Sequence, residues 1–180
     1  AKYSNIFLNS DTLLSFSKDD YAEAIGRPIL CQIDTIGKKE VITEKDTTFE
    51  YEIDTLFISS KSMEGWLKQN KENFFFRDSV EIAGKRISGT GKDMIYNKAN
   101  GNLFLFGKAK LYYDSSQIHS DTITIFSKTN KLDSIFCQSN SIMLSKDDTL
   151  TNRINQISGN TIWIHFASDT IRRVIANGEA

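Results

Sequence analysis

A short two-part unit recurs five times along the chain, and it restricts the fold more than any other feature of the sequence. Its first half starts with Asp or Asn and then alternates: Asp11-Thr12-Leu13, Asp54-Thr55-Leu56, Asp93-Met94-Ile95, Asp121-Thr122-Ile123 and Asn160-Thr161-Ile162. Its second half turns on a small or polar residue inside an apolar run: Gly26-Arg27-Pro28, Asp78-Ser79-Val80, Gly107-Lys108-Ala109, Ser139-Asn140-Ser141 and Gly178-Glu179-Ala180. Successive Asp/Asn positions lie 43, 39, 28 and 39 residues apart. A period in this range means stacked copies of one supersecondary unit, each burying its apolar face against its neighbours.

Aligning the five units by their Asp/Asn gives columns. Two residues on come Leu13, Leu56, Ile95, Ile123 and Ile162, all apolar, while the residues between are mostly Thr. Four residues on come Ser15, Ile58, Asn97, Ile125 and Ile164. Period two means a strand with one buried face. The second halves alternate too. Ala24, Phe76, Leu105, Cys137 and Ala176 precede the small residue by two; Leu30, Ile82, Leu111 and Met143 follow it by four. Gly inside such a strand marks a bulge or bend, so each long strand is expected to bend there.

Turn signals at 18–20, 97–102, 127–130 and 167–169 imply short hairpins, hence antiparallel pairing. Two segments interrupt the pattern. Residues 60–73 carry Met63, Trp66 and Leu67 in a polar stretch that reads as one helical turn or a long loop, and 147–155 is a second polar insertion. Neither resembles a linker, so 1–180 reads as one domain. The last unit stops where its counterparts continue into another apolar strand, which suggests a segment of a longer protein.

Composition narrows the function. A net charge of −1 supplies no basic stripe for nucleic acid. Two cysteines are too few for a disulfide framework and form no zinc motif. Cys31 and Cys137 fall at opposite parities about their bends, so two free thiols are expected, with Cys137 buried. His119 and His165 have no nucleophile motif beside them. The aspartates at 54, 93 and 121 recur once per unit, which suits turn or strand-start residues that cap backbone donors rather than catalytic carboxylates or a calcium ladder. No catalysis, cofactor or metal is expected. Trp163 falls on the outer face, either under a loop or as part of a partner surface.

Ile118-His119-Ser120-Asp121-Thr122-Ile123-Thr124-Ile125 and Leu103-Phe104-Leu105-Phe106-Gly107-Lys108-Ala109-Lys110-Leu111 are the clearest copies of the two strands. Gly159-Asn160-Thr161-Ile162 and Ala176-Asn177-Gly178-Glu179-Ala180 are good ones. Together they resemble the OstA-like family, also called LptA-like, of periplasmic lipopolysaccharide-transport domains, in a style similar to the large OstA-like proteins of Bacteroidota. The resemblance is strongest from about residue 87 onward. It implies an all-β, twisted open β-jellyroll of repeated antiparallel hairpins whose apolar interior holds acyl chains. It also implies a periplasmic, outer-membrane-associated location. Its partners would be lipopolysaccharide or another lipid, and other OstA-like domains or outer-membrane assembly proteins joined through edge strands.

Acyl chains gain about 0.8 kcal/mol per CH2 removed from water, so an elongated apolar trough suits them. Its candidate lining is Leu56, Ile58, Ile95, Leu105, Leu111, Ile123, Ile125, Ile162 and Ile164. The same columns would arise in a closed core, which leaves a cell-envelope scaffold module without lipid as the alternative. A carbohydrate-active β-solenoid would need clustered carboxylates on one outer face, and the sequence shows none.

Overall fold

The computed structural model describes residues 4–16, 20–42, 47–66, 73–128, 131–146, 153–168 and 170–178. All of its regular structure is strand. Ten strands precede residue 100: β1 (Ser4–Asn9), β2 (Thr12–Phe16), β3 (Tyr21–Ile25), β4 (Ile29–Ile42), β5 (Thr47–Ser59), β6 (Ser62–Trp66), β7 (Asn73–Arg77), β8 (Val80–Ala83), β9 (Ile87–Gly91) and β10 (Asp93–Asn97). Five follow, mostly longer: β11 (Asn102–Tyr113), β12 (Ser116–Lys128), β13 (Lys131–Lys146), β14 (Ile154–Ala167) and β15 (Thr170–Asn177). Every pairing between them is antiparallel.

The sheet divides at β11. Its first half pairs with β10 and its second half with β9, while β12 runs along its whole other edge. A front sheet therefore runs β2-β3-β6-β7-β10 and on through the first half of β11 to β15. A back sheet runs β1-β4-β5-β8-β9 and on through the second half of β11 to the first half of β14. From β11 to β14 each strand belongs to both sheets and bends between them.

The bends are the expected small or polar positions, and the backbone shows why. Gly26 and Arg27, Asp78 and Ser79, Gly107 and Lys108, and Ser139 and Asn140 are consecutive residues at positive φ, and Gly178 is at +89°. Two left-handed residues in a row turn a strand out of its sheet. The ladder register slips at these points, between Phe106 and Ala109 and between Gln138 and Ser141. Gly107 is required at its bend: a Cβ there would lie 2.6 Å from that of Lys92. Asn and Asp tolerate the left-handed region better than most side chains, which suits Asp78 and Asn140.

The polar groups freed at the bends are satisfied locally. Lys92 N donates to Phe106 O at 2.8 Å, and Asp78 N donates to Asp93 Oδ1 at 3.2 Å. Ser120 Oγ lies 2.8 Å from Gln138 O and 3.1 Å from Ser141 Oγ. Buried serines thus take over bonds that the broken ladder cannot make.

Three expectations need correction. Residues 62–66 form β6, paired to β3 and β7, rather than a helical turn or loop; residues 67–72 lie outside the described part. Asp54 is no bend residue: it sits inside β5 opposite Asp34. The position facing the Asp78 bend is Lys61, whose N donates to Arg77 O and Asp78 O. In the third unit it is Lys92, not Asp93, that faces the Gly107 bend. The residues facing the bends are therefore Asp11, Lys61, Lys92, Asp121 and Asn160.

Candidate functional site: the apolar interior between the sheets

Two residues after each bend-facing position stand Leu13, Met63, Met94, Ile123 and Ile162. Cross-strand pairing joins them with the second-half column into one row: Leu13, Ala24, Met63, Phe76, Met94, Leu105, Ile123, Cys137, Ile162 and Ala176. The row crosses all ten strands of the front sheet and points inward. The back sheet answers with Leu8, Leu30, Ile58, Ile82, Gly89, Leu111, Ile118, Met143 and Ile157. A second front row holds Phe74, Tyr96, Leu103, Ile125, Ile135 and Ile164. Apart from Leu8, Leu13 and Ala176 at the two ends, the apolar members of these rows pack into one cluster between the sheets.

Of the nine candidate lining residues, Ile58, Leu105, Leu111, Ile123, Ile125, Ile162 and Ile164 are buried in this cluster. Leu56 is half-buried at its rim, opposite Gln32. Ile95 does not face the interior. Its neighbours Met94 and Tyr96 are buried inside, so strand alternation turns Ile95 outward, between Phe75 and Phe104. The error came from aligning Asp93 rather than Lys92 with the bend. The sequence reading missed Met63, Phe74, Met94, Tyr96, Ile118 and Ile135. The triplet Phe74-Phe75-Phe76 conceals its alternation; the partner columns on β6 and β10 would have revealed it.

Burial along the front row is uneven. Ile123 and Ile162 are 0% exposed, whereas Leu13 on edge strand β2 is 58% exposed. Phe7, Leu8, Leu14, Phe16, Ile25 and Ile29 are exposed at the same end of the molecule. Among the described residues β1, β2, β15, the first half of β14 and the outer parts of the β4–β5 hairpin each have one side unpaired.

Far from the bends, the two sheets touch directly. The Tyr96 hydroxyl of β10 donates to Gln32 Oε1 of β4 at 2.5 Å. Tyr113, in the back part of β11, meets Phe166, in the front part of β14, edge to face at 4.9 Å. Arg86 lies 5.0 Å over the Tyr113 ring and pairs with Asp114, holding that carboxyl below its ordinary range through a hydrogen bond.

The other conspicuous side chains sit outside. Trp163 packs on Phe136 at 4.4 Å, on Phe126 and on His165, an aromatic stack on the outer front face rather than a residue under a loop. A second outer series links Phe16, Tyr21, Trp66 and Phe75 at 5.1–5.8 Å. His119 is pushed below its usual pKa by partial burial and then by Lys110. Both cysteines are free, and burial pushes the Cys137 thiol up to about 12. Among the described residues no three His, Cys, Asp or Glu side chains gather as a metal set.

Residues 33–131 match the family described as the LptA/LptD N-terminal domain LPS transport protein. Among solved structures the chain is similar to LptH of Pseudomonas aeruginosa, the LptA-homologous periplasmic component of the lipopolysaccharide transport device. The TM-score is 0.55 at 12% identity, over 85% of this chain and 94% of that one. At that identity the likeness speaks for the fold. No curated protein matches the sequence.

Proposed function

Because the chain belongs to the LptA/LptD N-terminal domain family of LPS transport proteins, we propose that it carries lipopolysaccharide through the periplasm by sheltering acyl chains between its two sheets. One observation bears most of the weight: an apolar row that crosses ten strands without a charged member and emerges wet at Leu13. A passive apolar track fits a transport role, since each CH2 sheltered from water contributes about 0.8 kcal/mol. The sugar headgroup would stay in solvent outside the mouth.

Neighbouring domains, or outer-membrane assembly proteins, would join through the free edges. Strand direction alternates across the front sheet, so β15 of one domain and β2 of the next meet antiparallel. A register placing Ala176 opposite Leu13 would continue the interior row without a break. Unpaired N–H and C=O groups along both strands favour such addition.

The test is photo-crosslinking to purified lipopolysaccharide, with a reactive residue at Leu13, at Leu56 and, as an outward control, at Glu81. Adducts at the first two alone are the expected result. Absence of adducts at every position in a folded chain would instead favour a scaffold module with a closed core, a reading that the full burial of Ile58, Leu105 and Ile162 supports.

A further inference from the structure

We infer that Tyr96 and Gln32 form a clasp across the mouth of the interior, which must part before an acyl chain can lie between the sheets; this rests on the carrier reading above. The first reason is packing. Central interior residues such as Leu105, Ile123 and Ile162 have no solvent exposure, so side chains already fill the space that an acyl chain would take. A close-packed interior admits a guest only by separating its walls. The bends set how that separation proceeds. In every unit the chain crosses from one sheet to the other at its bends, so along that side covalent backbone joins the walls. On the opposite side, where β4 and β10 face each other from separate sheets far from the bends, only side chains hold the walls together.

The second reason is the chemistry of the contact. Tyr96 is nearly buried, stacked 6.3 Å from Phe74, and its hydroxyl reaches from the front sheet to Gln32 on the back sheet. Gln32 interrupts the inward alternation of β4, where Leu30 precedes it and packs fully. Gln32 is half-buried, opposite Ile6 and Leu56 on the neighbouring strands, and Tyr96 gives its amide oxygen a partner across the gap between the sheets. Water or a polar group of an incoming lipid can replace a hydrogen bond of this kind, because net exchange of one such bond is nearly balanced. The Tyr113–Phe166 contact has no such substitute, since it joins two rings that neither water nor a polar lipid group can replace. The clasp is therefore the tie that can exchange, and it sits where the walls can separate.

The test reads the distance between the sheets by pulsed dipolar spectroscopy. One spin label goes on the native Cys31 of β4 and one on a cysteine introduced by Ala99→Cys, at an exposed position in the turn after β10. Cys137 is fully buried and does not compete for label. In the lipid-free chain Tyr96→Phe and Gln32→Leu should each raise the long-distance population roughly two- to tenfold over the unsubstituted chain. Purified lipopolysaccharide should raise the same population without any substitution. Unchanged distributions in both variants, with circular dichroism intact, would overturn the clasp. The two readings fail separately. Adducts at Leu13 and Leu56 with unmoved distances would remove the clasp and leave the carrier; lengthened distances in the lipid-free variants without adducts would remove the carrier and leave the clasp.

Discussion

The two ends of this molecule carry the same repeat and treat it differently. From β11 to β14, long strands bend between the sheets, and each inward residue of the first row has neighbours on both sides: Ile123 and Ile162 lose all contact with solvent. From β1 to β10 the bends break the strands into separate pieces in the two sheets, and on the edge strand β2 Leu13 holds the same row position in the open. Sequence position within a unit therefore fixes which way a side chain points. How much it is buried depends on how many units stand beside it, as in other stacked arrays. The terminal units carry apolar faces that only a further unit, or a ligand, would cover.

The sharpest way to break this comparison is to truncate the same row position at both ends. Ile162→Ala should cost about 2–5 kcal/mol, the usual range for a buried large-to-small change. Leu13→Ala should cost less than about 1 kcal/mol, because little of its surface leaves water on folding. Equal shifts in urea denaturation midpoints would mean that the β2 end is covered in solution, by a second copy or by another surface.

The bends offer a smaller effect and a second contrast. Gly107→Ala would strain a left-handed residue and force a Cβ against Lys92 between two paired strands, costing about 1–3 kcal/mol. Gly26→Ala meets Asp11 just as closely. There the obstacle is a residue beside an edge strand with one free side, so the neighbour can shift and the loss should be the lesser of the two. Thermal unfolding of both variants decides it; a larger loss at Gly26 would mean that the edge is as rigid as the centre.

The smallest effect is one of pH. His119 lies on β12 in the shared-strand region, and burial followed by Lys110 lowers its pKa below 6.5. The folded state therefore resists protonation that the unfolded chain accepts. Stability should be full above about pH 6.5 and should decline as the pH falls through that value toward the lower folded pKa. His119→Gln should flatten this slope in denaturation curves between pH 7 and 5. An unchanged slope would place its origin in other groups.

Alternation, antiparallel pairing and the bends were all legible in the sequence, because each rests on a strong local rule. Gly107 and Asn140 advertise left-handed backbone, and Thr122-Ile123-Thr124-Ile125 alternates cleanly. The register between units was harder to read. The units align on the Asp or Asn that starts each first half, yet Lys61 and Lys92 occupy two of the positions facing the bends. The position asks only for a solvated residue whose backbone N–H reaches the bend, and lysine meets that as well as aspartate. Aligning on Asp93 moved one strand by one residue and turned Ile95 to the wrong face, as a one-residue slip must. Aligning on Asp54 put Leu56 in the front-sheet row, whereas it belongs to the back sheet. The Tyr96–Gln32 contact was invisible because its partners lie 64 residues apart and in different sheets.

The antiparallel rungs of the front sheet also make the molecule a ruler. Neighbouring strands stand about 4.8 Å apart, so the ten of the front sheet measure about 43 Å across. Every hairpin inserted or deleted would change that reach by about 10 Å while leaving the width of the interior alone. Reach and cross-section are thus set by different parts of the sequence, the number of rungs and the inward columns, and each can vary without disturbing the other.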